Sequence, residues 1–119
     1  MRSVLAFAAA MLLIAATADA QHLEQGGFAA GVNSEGWSLN SGTGTRSYIV
    51  FVRFPKPFAE KPSVLLSLTS IDGAPARDGN VRITLKADNV TRDGFVVKIS
   101  TWGDSRLAGI EGSWLASGR

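Results

Sequence analysis

Few of the side chains that drive covalent chemistry are present in this 119-residue sequence. It has no cysteine, which excludes a thiolate nucleophile, a thiolate metal site and a disulfide framework. Its single histidine, His22, lies beside the start of the predicted mature chain, where chains usually fray. Neither a multi-histidine zinc centre nor a Ser-His-Asp triad is expected from it. Asp72-Gly73, Asp78-Gly79 and Asp88-Asn89 read as turns and lack EF-hand spacing, so no metal site is expected either. What remains suits recognition. Arg82 offers a rigid fork of donors, and Trp102-Gly103-Asp104-Ser105 sets an aromatic plate beside a carboxylate and a hydroxyl. Each has a plainer reading. Arg82 would serve equally as a solvated arginine or as an ion pair between subunits, Trp102 as a core residue, and Asp104-Ser105 as turn formers.

The elements that position these residues have period 2. Val81 to Asp88 alternates apolar and polar side chains without a break, placing Arg82, Thr84, Lys86 and Asp88 on one wet face. Phe95 to Trp102 continues the pattern, with Phe95, Val97 and Ile99 opposite Lys98, Ser100 and Trp102. The intervening Asn89 to Gly94, with its Asp93-Gly94 pair, predicts a hairpin. Tyr48 to Phe54 and Val64 to Ile71 are more uniformly apolar and predict strands buried on much of both faces. Pro55 to Pro62 between them holds three of the four prolines and reads as an ordered crossover whose Phe58 enters the core. With Ile110 to Ser117 and a short element near Glu24 to Phe28, about six strands are expected. Trp114 and Trp37 read as packing residues. Many short strands with glycine-rich turns argue a β-sandwich or a small barrel.

The first 20 residues predict an export signal: Met1-Arg2, an apolar or small run from Val4 to Ala16, and Ala18-Asp19-Ala20 before the cleavage point. The run is shorter than the ~20 residues of a spanning helix, so no membrane insertion is expected and the mature protein, residues 21–119, is read as secreted, extracellular or periplasmic. It amounts to one small domain that must hold together by core packing or by association with its own copies. The formal net charge is +2 and no basic run follows a phosphate backbone, which argues against nucleic acid as a partner.

The spacing of particular residues goes further. Phe54-Pro55-Lys56-Pro57-Phe58, Lys61-Pro62-Ser63-Val64, Gly94-Phe95, Thr101-Trp102-Gly103-Asp104-Ser105 and Ser113-Trp114-Leu115-Ala116, with Gln25-Gly26-Gly27 and Gly36-Trp37 ahead of them, resemble the H-type lectin domain. This is the fold of snail agglutinins and of the C-terminal domain of discoidins, and the likeness spans about Gln25 to Ala116. It implies an all-β, six-stranded antiparallel β-sandwich that assembles as a homotrimer or as paired trimers. It also implies metal-free sites for N-acetylgalactosamine or galactose near the protomer boundaries. An arginine before the Gly-Phe hairpin matches Arg82, and the tryptophan of the Thr-Trp motif matches Trp102. The agglutinin's histidine after that tryptophan is Gly103 here. Its acceptor aspartate before the second strand has no counterpart in Asn40 to Arg46, which offers Asn40, Ser41, Thr43, Thr45 and the arginine. A tyrosine past the motif is replaced by Ala108.

A sugar shows hydroxyls on its rim and an apolar C–H patch on one face, so its site wants an aromatic plate among fixed donors and acceptors. The candidate carbohydrate-binding residues are Arg82, Trp102, Gly103, Asp104 and Thr43. The leading reading is a secreted lectin with glycans as partners, no cofactor and no catalytic residues. A structural or adhesive trimeric subunit that keeps the fold without sugar binding is the alternative. A small hydrolase is the weakest reading, because paired carboxylates need a separation of roughly 5 to 9.5 Å and the acidic residues here mostly fall in predicted turns.

Overall fold

The computed structural model describes residues 21–119, so the predicted export signal lies outside the described residues. Six antiparallel strands follow one another: β1 (His22–Gly31), β2 (Arg46–Arg53), β3 (Ser63–Ala74), β4 (Thr84–Asp88), β5 (Gly94–Thr101) and β6 (Arg106–Gly118). They form two three-stranded sheets, ordered β1-β6-β3 and β2-β5-β4. This is the six-stranded β-sandwich that the family resemblance implies, and it decides between the sandwich and the small barrel that the alternating sequence left open.

The core lies between the sheets. Phe95, Val97 and Ile99 of β5 are buried against Ile110, Trp114 and Ala116 of β6, and Phe28, Phe54 and Phe58 complete the cluster. The Phe95 ring meets Trp114 edge-on at 5.5 Å, and Phe54 packs on both Phe58 and Trp114. Trp114 is therefore a packing residue, and Phe58 fills the core from the proline-rich crossover as its sequence predicts. Trp37 anchors the first long loop by donating its indole N–H to the Leu107 carbonyl at 2.9 Å.

Two expectations are corrected. β2 and β3 are not buried on both faces: Phe51 is 77% exposed and Leu65 70%, with Ile49 and Leu23 also outward. A sandwich of two layers has nothing on its outer sides within one chain, so the alternate apolar residues of these strands face solvent. The predicted hairpin joins β4 to β5, and the Gly94 carbonyl closes its turn by accepting the Thr91 N–H at 2.9 Å. The left-handed residue there is Asn89, with φ of 49°. Gly94 also opens β5 opposite Arg53, where a Cβ would stand 2.2 Å from the Val52 carbonyl oxygen. β4 also starts at Thr84 rather than Val81, which leaves Arg82 in the connection before the strand.

Candidate functional site

Three loops meet at one end of the sandwich: residues 40–46 between β1 and β2, 75–83 between β3 and β4, and 102–105 between β5 and β6. Their conformations follow from their sequences. Gly42 and Gly44, both at φ of 80°, turn the first loop and leave Thr43 exposed between them. Arg46, the first residue of β2, secures it: its guanidinium donates to the carbonyls of Gly42 at 3.0 Å, Gly103 at 3.1 Å and Ser105 at 2.8 Å. The Gly44 N–H adds a bond to the Gly103 carbonyl at 3.1 Å. Arg46 is thus a latch between loops, with its donors spent on the backbone.

The second loop turns at Ala76 to Gly79, where the Gly79 N–H reaches the Ala76 carbonyl and Gly79 takes φ of 83°. It then runs past the end of β5. There Thr101 donates its hydroxyl to the Arg82 carbonyl at 2.7 Å, and Ser105 accepts the Arg82 N–H at 3.2 Å. Both hydroxyls are fully buried. Two interior hydroxyls therefore hold the Arg82 backbone, and its side chain is left to reach the rim.

That guanidinium grips Asp78 in a fork: Nη1 donates to Oδ1 at 3.2 Å and Nη2 to Oδ2. Oδ1 also accepts the Asn80 N–H at 3.1 Å. The Arg82 hydrogen bond, followed by that backbone N–H, holds the Asp78 carboxyl at about 2, well below the usual carboxylate range. The same pairing raises Arg82, so the guanidinium stays charged.

Trp102 follows directly on β5 and is 40% exposed, at the strand end that its polar-face register predicts. Gly103, at φ of 66°, lies under Arg82; a Cβ there would come within 3.6 Å of Nη1. It offers only backbone to a ligand. Asp104 accepts the Arg77 N–H at 3.3 Å and lies 3.8 Å from the Arg77 guanidinium, an exposed pair. All five residues expected from the sequence thus come from loops at this one end.

The sequence reading missed Asp78, taken only as part of an Asp-Gly turn, together with the Arg46 latch and the Thr101 and Ser105 clamps. The fork between Asp78 and Arg82 is visible in principle as an acid four residues ahead of a base, but outside a helix that spacing carries no signal. A broad hollow lies elsewhere, on the outer face of the β1-β6-β3 sheet between Gln25, Leu65, Ser67, Ser113 and Leu115. It contains no charged side chain, so it suits packing better than recognition of a polyol. Among the described residues no group of three or more metal-ligating side chains comes together.

Donors, acceptors and an indole thus stand on converging loops at one end of a two-sheet sandwich. The chain belongs to the H-type lectin domain family, whose sequence profile matches residues 49–117. It is 36% identical over 85 residues to "ATP synthase subunits region ORF 7" of Fuscovulum blasticum, covering 71% of this chain and 72% of that protein. It is 37% identical over 70 residues to discoidin-2 of Dictyostelium discoideum, covering 59% of this chain but 27% of the discoidin. The structure of recombinant discoidin II from the same organism superposes with a TM-score of 0.73 at 28% identity, over 82% of this chain and 37% of that one. The chain therefore spans about a third of the discoidins it matches.

Proposed function

We propose that this chain is a secreted lectin that binds galactose- or N-acetylgalactosamine-type glycans without metal, cofactor or turnover. The observation that carries the reading is the convergence of Arg82, Trp102, Asp104 and Thr43 on one loop-built end, with the Arg82 backbone held by two buried hydroxyls. A fixed backbone and a half-exposed indole provide the donor and the plate that a pyranose needs. Membership of the H-type lectin family supports the same assignment. Export rests on Met1 to Ala20, and among the described residues no helix is long and apolar enough to cross a membrane.

Single monosaccharide sites bind weakly, and copies joined as a trimer or as paired trimers multiply them through effective concentration. The outward apolar residues Phe51, Ile49, Leu65 and Leu23 support such association. A glycan array with residues 21–119, wild type beside Arg82→Ala, tests the proposal. Binding that the variant loses while keeping its thermal midpoint is the expected result; silence from a folded oligomer overturns it.

The second reading, an adhesive or structural subunit without sugar binding, is favoured by one observation. Gly103 and Ala108 stand where the family's agglutinins place a histidine and a tyrosine, and neither adds a polar side chain. An intact oligomer that binds no glycan would establish it.

A further inference from the structure

We infer that Asp78, working with Arg82, is the hydrogen-bond acceptor of the sugar site and selects one ligand hydroxyl. The inference rests on the lectin reading above and adds the residue that the 40–46 loop lacks: that loop contains no carboxylate, while its neighbour places one at the rim.

The fork itself shows what is left to bind. Oδ1 of Asp78 takes both the Arg82 Nη1–H and the Asn80 N–H, so its two lone-pair directions are occupied. Oδ2 takes only the Nη2–H among the described residues. One lone pair on Oδ2 therefore remains, pointing away from the fork. Asp78 is half-exposed, and its position is set by the Ala76–Gly79 turn. A hydroxyl both accepts and donates. Placed there, it donates to Oδ2, and bonds to charged partners are roughly twice as strong as neutral ones. An ether oxygen or a deoxy carbon has no proton to donate there, which is what makes the acceptor selective. Gly103 lies beneath the guanidinium in the left-handed region at φ of 66°, a conformation that other residues adopt only with strain.

The test uses isothermal titration of the mature protein with methyl α-galactoside, methyl N-acetyl-α-galactosaminide and their 3-, 4- and 6-deoxy derivatives, for wild type and Asp78→Asn. Wild type should lose tenfold or more on one deoxy ligand only. Asp78→Asn should bind the parent sugar at least tenfold more weakly and discriminate that deoxy ligand by less than about threefold. A variant that binds weakly yet keeps the full discrimination makes Asp78 merely a support for Arg82 and overturns the acceptor role. A variant with wild-type affinity overturns it as well while leaving the lectin reading standing. A folded wild type that binds none of the sugars overturns both. Should Asp78→Asn fail to fold, the Asp78 carboxyl 13C resonance of the wild type decides: saturating sugar should shift it, and an unmoved resonance overturns the assignment.

Discussion

The Ser105 hydroxyl accepts the Arg82 N–H at 3.2 Å and donates its own proton to the Asn80 carbonyl at 3.0 Å. A single buried oxygen on the β5–β6 loop thus ties down the segment that follows Asp78 at two points, Asn80 and Arg82. The oxygen is fully buried, so its removal leaves the Arg82 N–H without a partner, while the Asn80 carbonyl keeps the Ala76 N–H at 2.7 Å.

Ser105→Ala is expected to cost about 1–3 kcal/mol of stability, the usual penalty for buried polar groups stripped of a partner. It should also weaken sugar binding, because the backbone under Arg82 loses one of its two clamps. Urea unfolding monitored by tryptophan fluorescence checks the first effect and titration the second. Unchanged stability would mean that water fills the gap and that the clamp does not hold the loop.

The Asp78 carboxyl should titrate near pH 2 in the folded protein, against 3.8 for the unperturbed group. The folded state therefore holds this proton less tightly than the unfolded chain. The ion pair's contribution to stability is complete above about pH 4 and is lost as pH falls towards 2. NMR titration of the side-chain carboxyl in wild type and Arg82→Ala tests this. The variant midpoint should rise towards 3.8; an unmoved midpoint would show that the Asn80 N–H, not Arg82, sets it.

Much of the fold was legible because each face of the sandwich writes a period of two into the chain. Phe95-Val97-Ile99 against Lys98-Ser100-Trp102 assigns both the inside of β5 and the exposure of Trp102. The same rule failed for Tyr48 to Phe54, where apolar residues fill both parities. Composition cannot say whether Phe51 faces a second layer or a neighbouring copy. The site was legible only in outline. Arg82, Trp102 and Asp104 carry side chains whose chemistry advertises itself, whereas Ser105 and Arg46 matter through bonds to backbone groups far away in sequence, which no local pattern records.

Gly112 marks where β6 passes under Phe28. A Cβ there would lie 2.3 Å from the Phe28 ring and 2.5 Å from the Ser67 carbonyl oxygen of the paired strand β3. The ring could turn away, but the strand cannot withdraw without breaking its ladder. Gly112→Ala is accordingly expected to destabilise by about 1–3 kcal/mol, the usual cost of overpacking. Adding Phe28→Leu should recover only part of the loss. Thermal unfolding of the single and double variants measures both, and full recovery would assign the clash to the ring alone.

Phe51 stands on the outer face of β2 opposite Val96, two pairs along from Ile49 and Lys98. Lys98 faces Lys86 across the β4–β5 ladder, so an apolar strip is flanked by charge, the arrangement of an interface core with a polar rim. Because Phe51 is 77% exposed in the single chain, it adds little to its own sandwich. If copies associate through this face, Phe51→Lys should reduce the sedimenting mass to that of one chain while near-ultraviolet circular dichroism stays native. Glycan-array signal on multivalent surfaces should fall by tenfold or more, with titration against free monosaccharide changing far less. An unchanged mass would move the contact to the opposite sheet, where Leu65→Lys, beside Leu115 on β6, is the corresponding disruption.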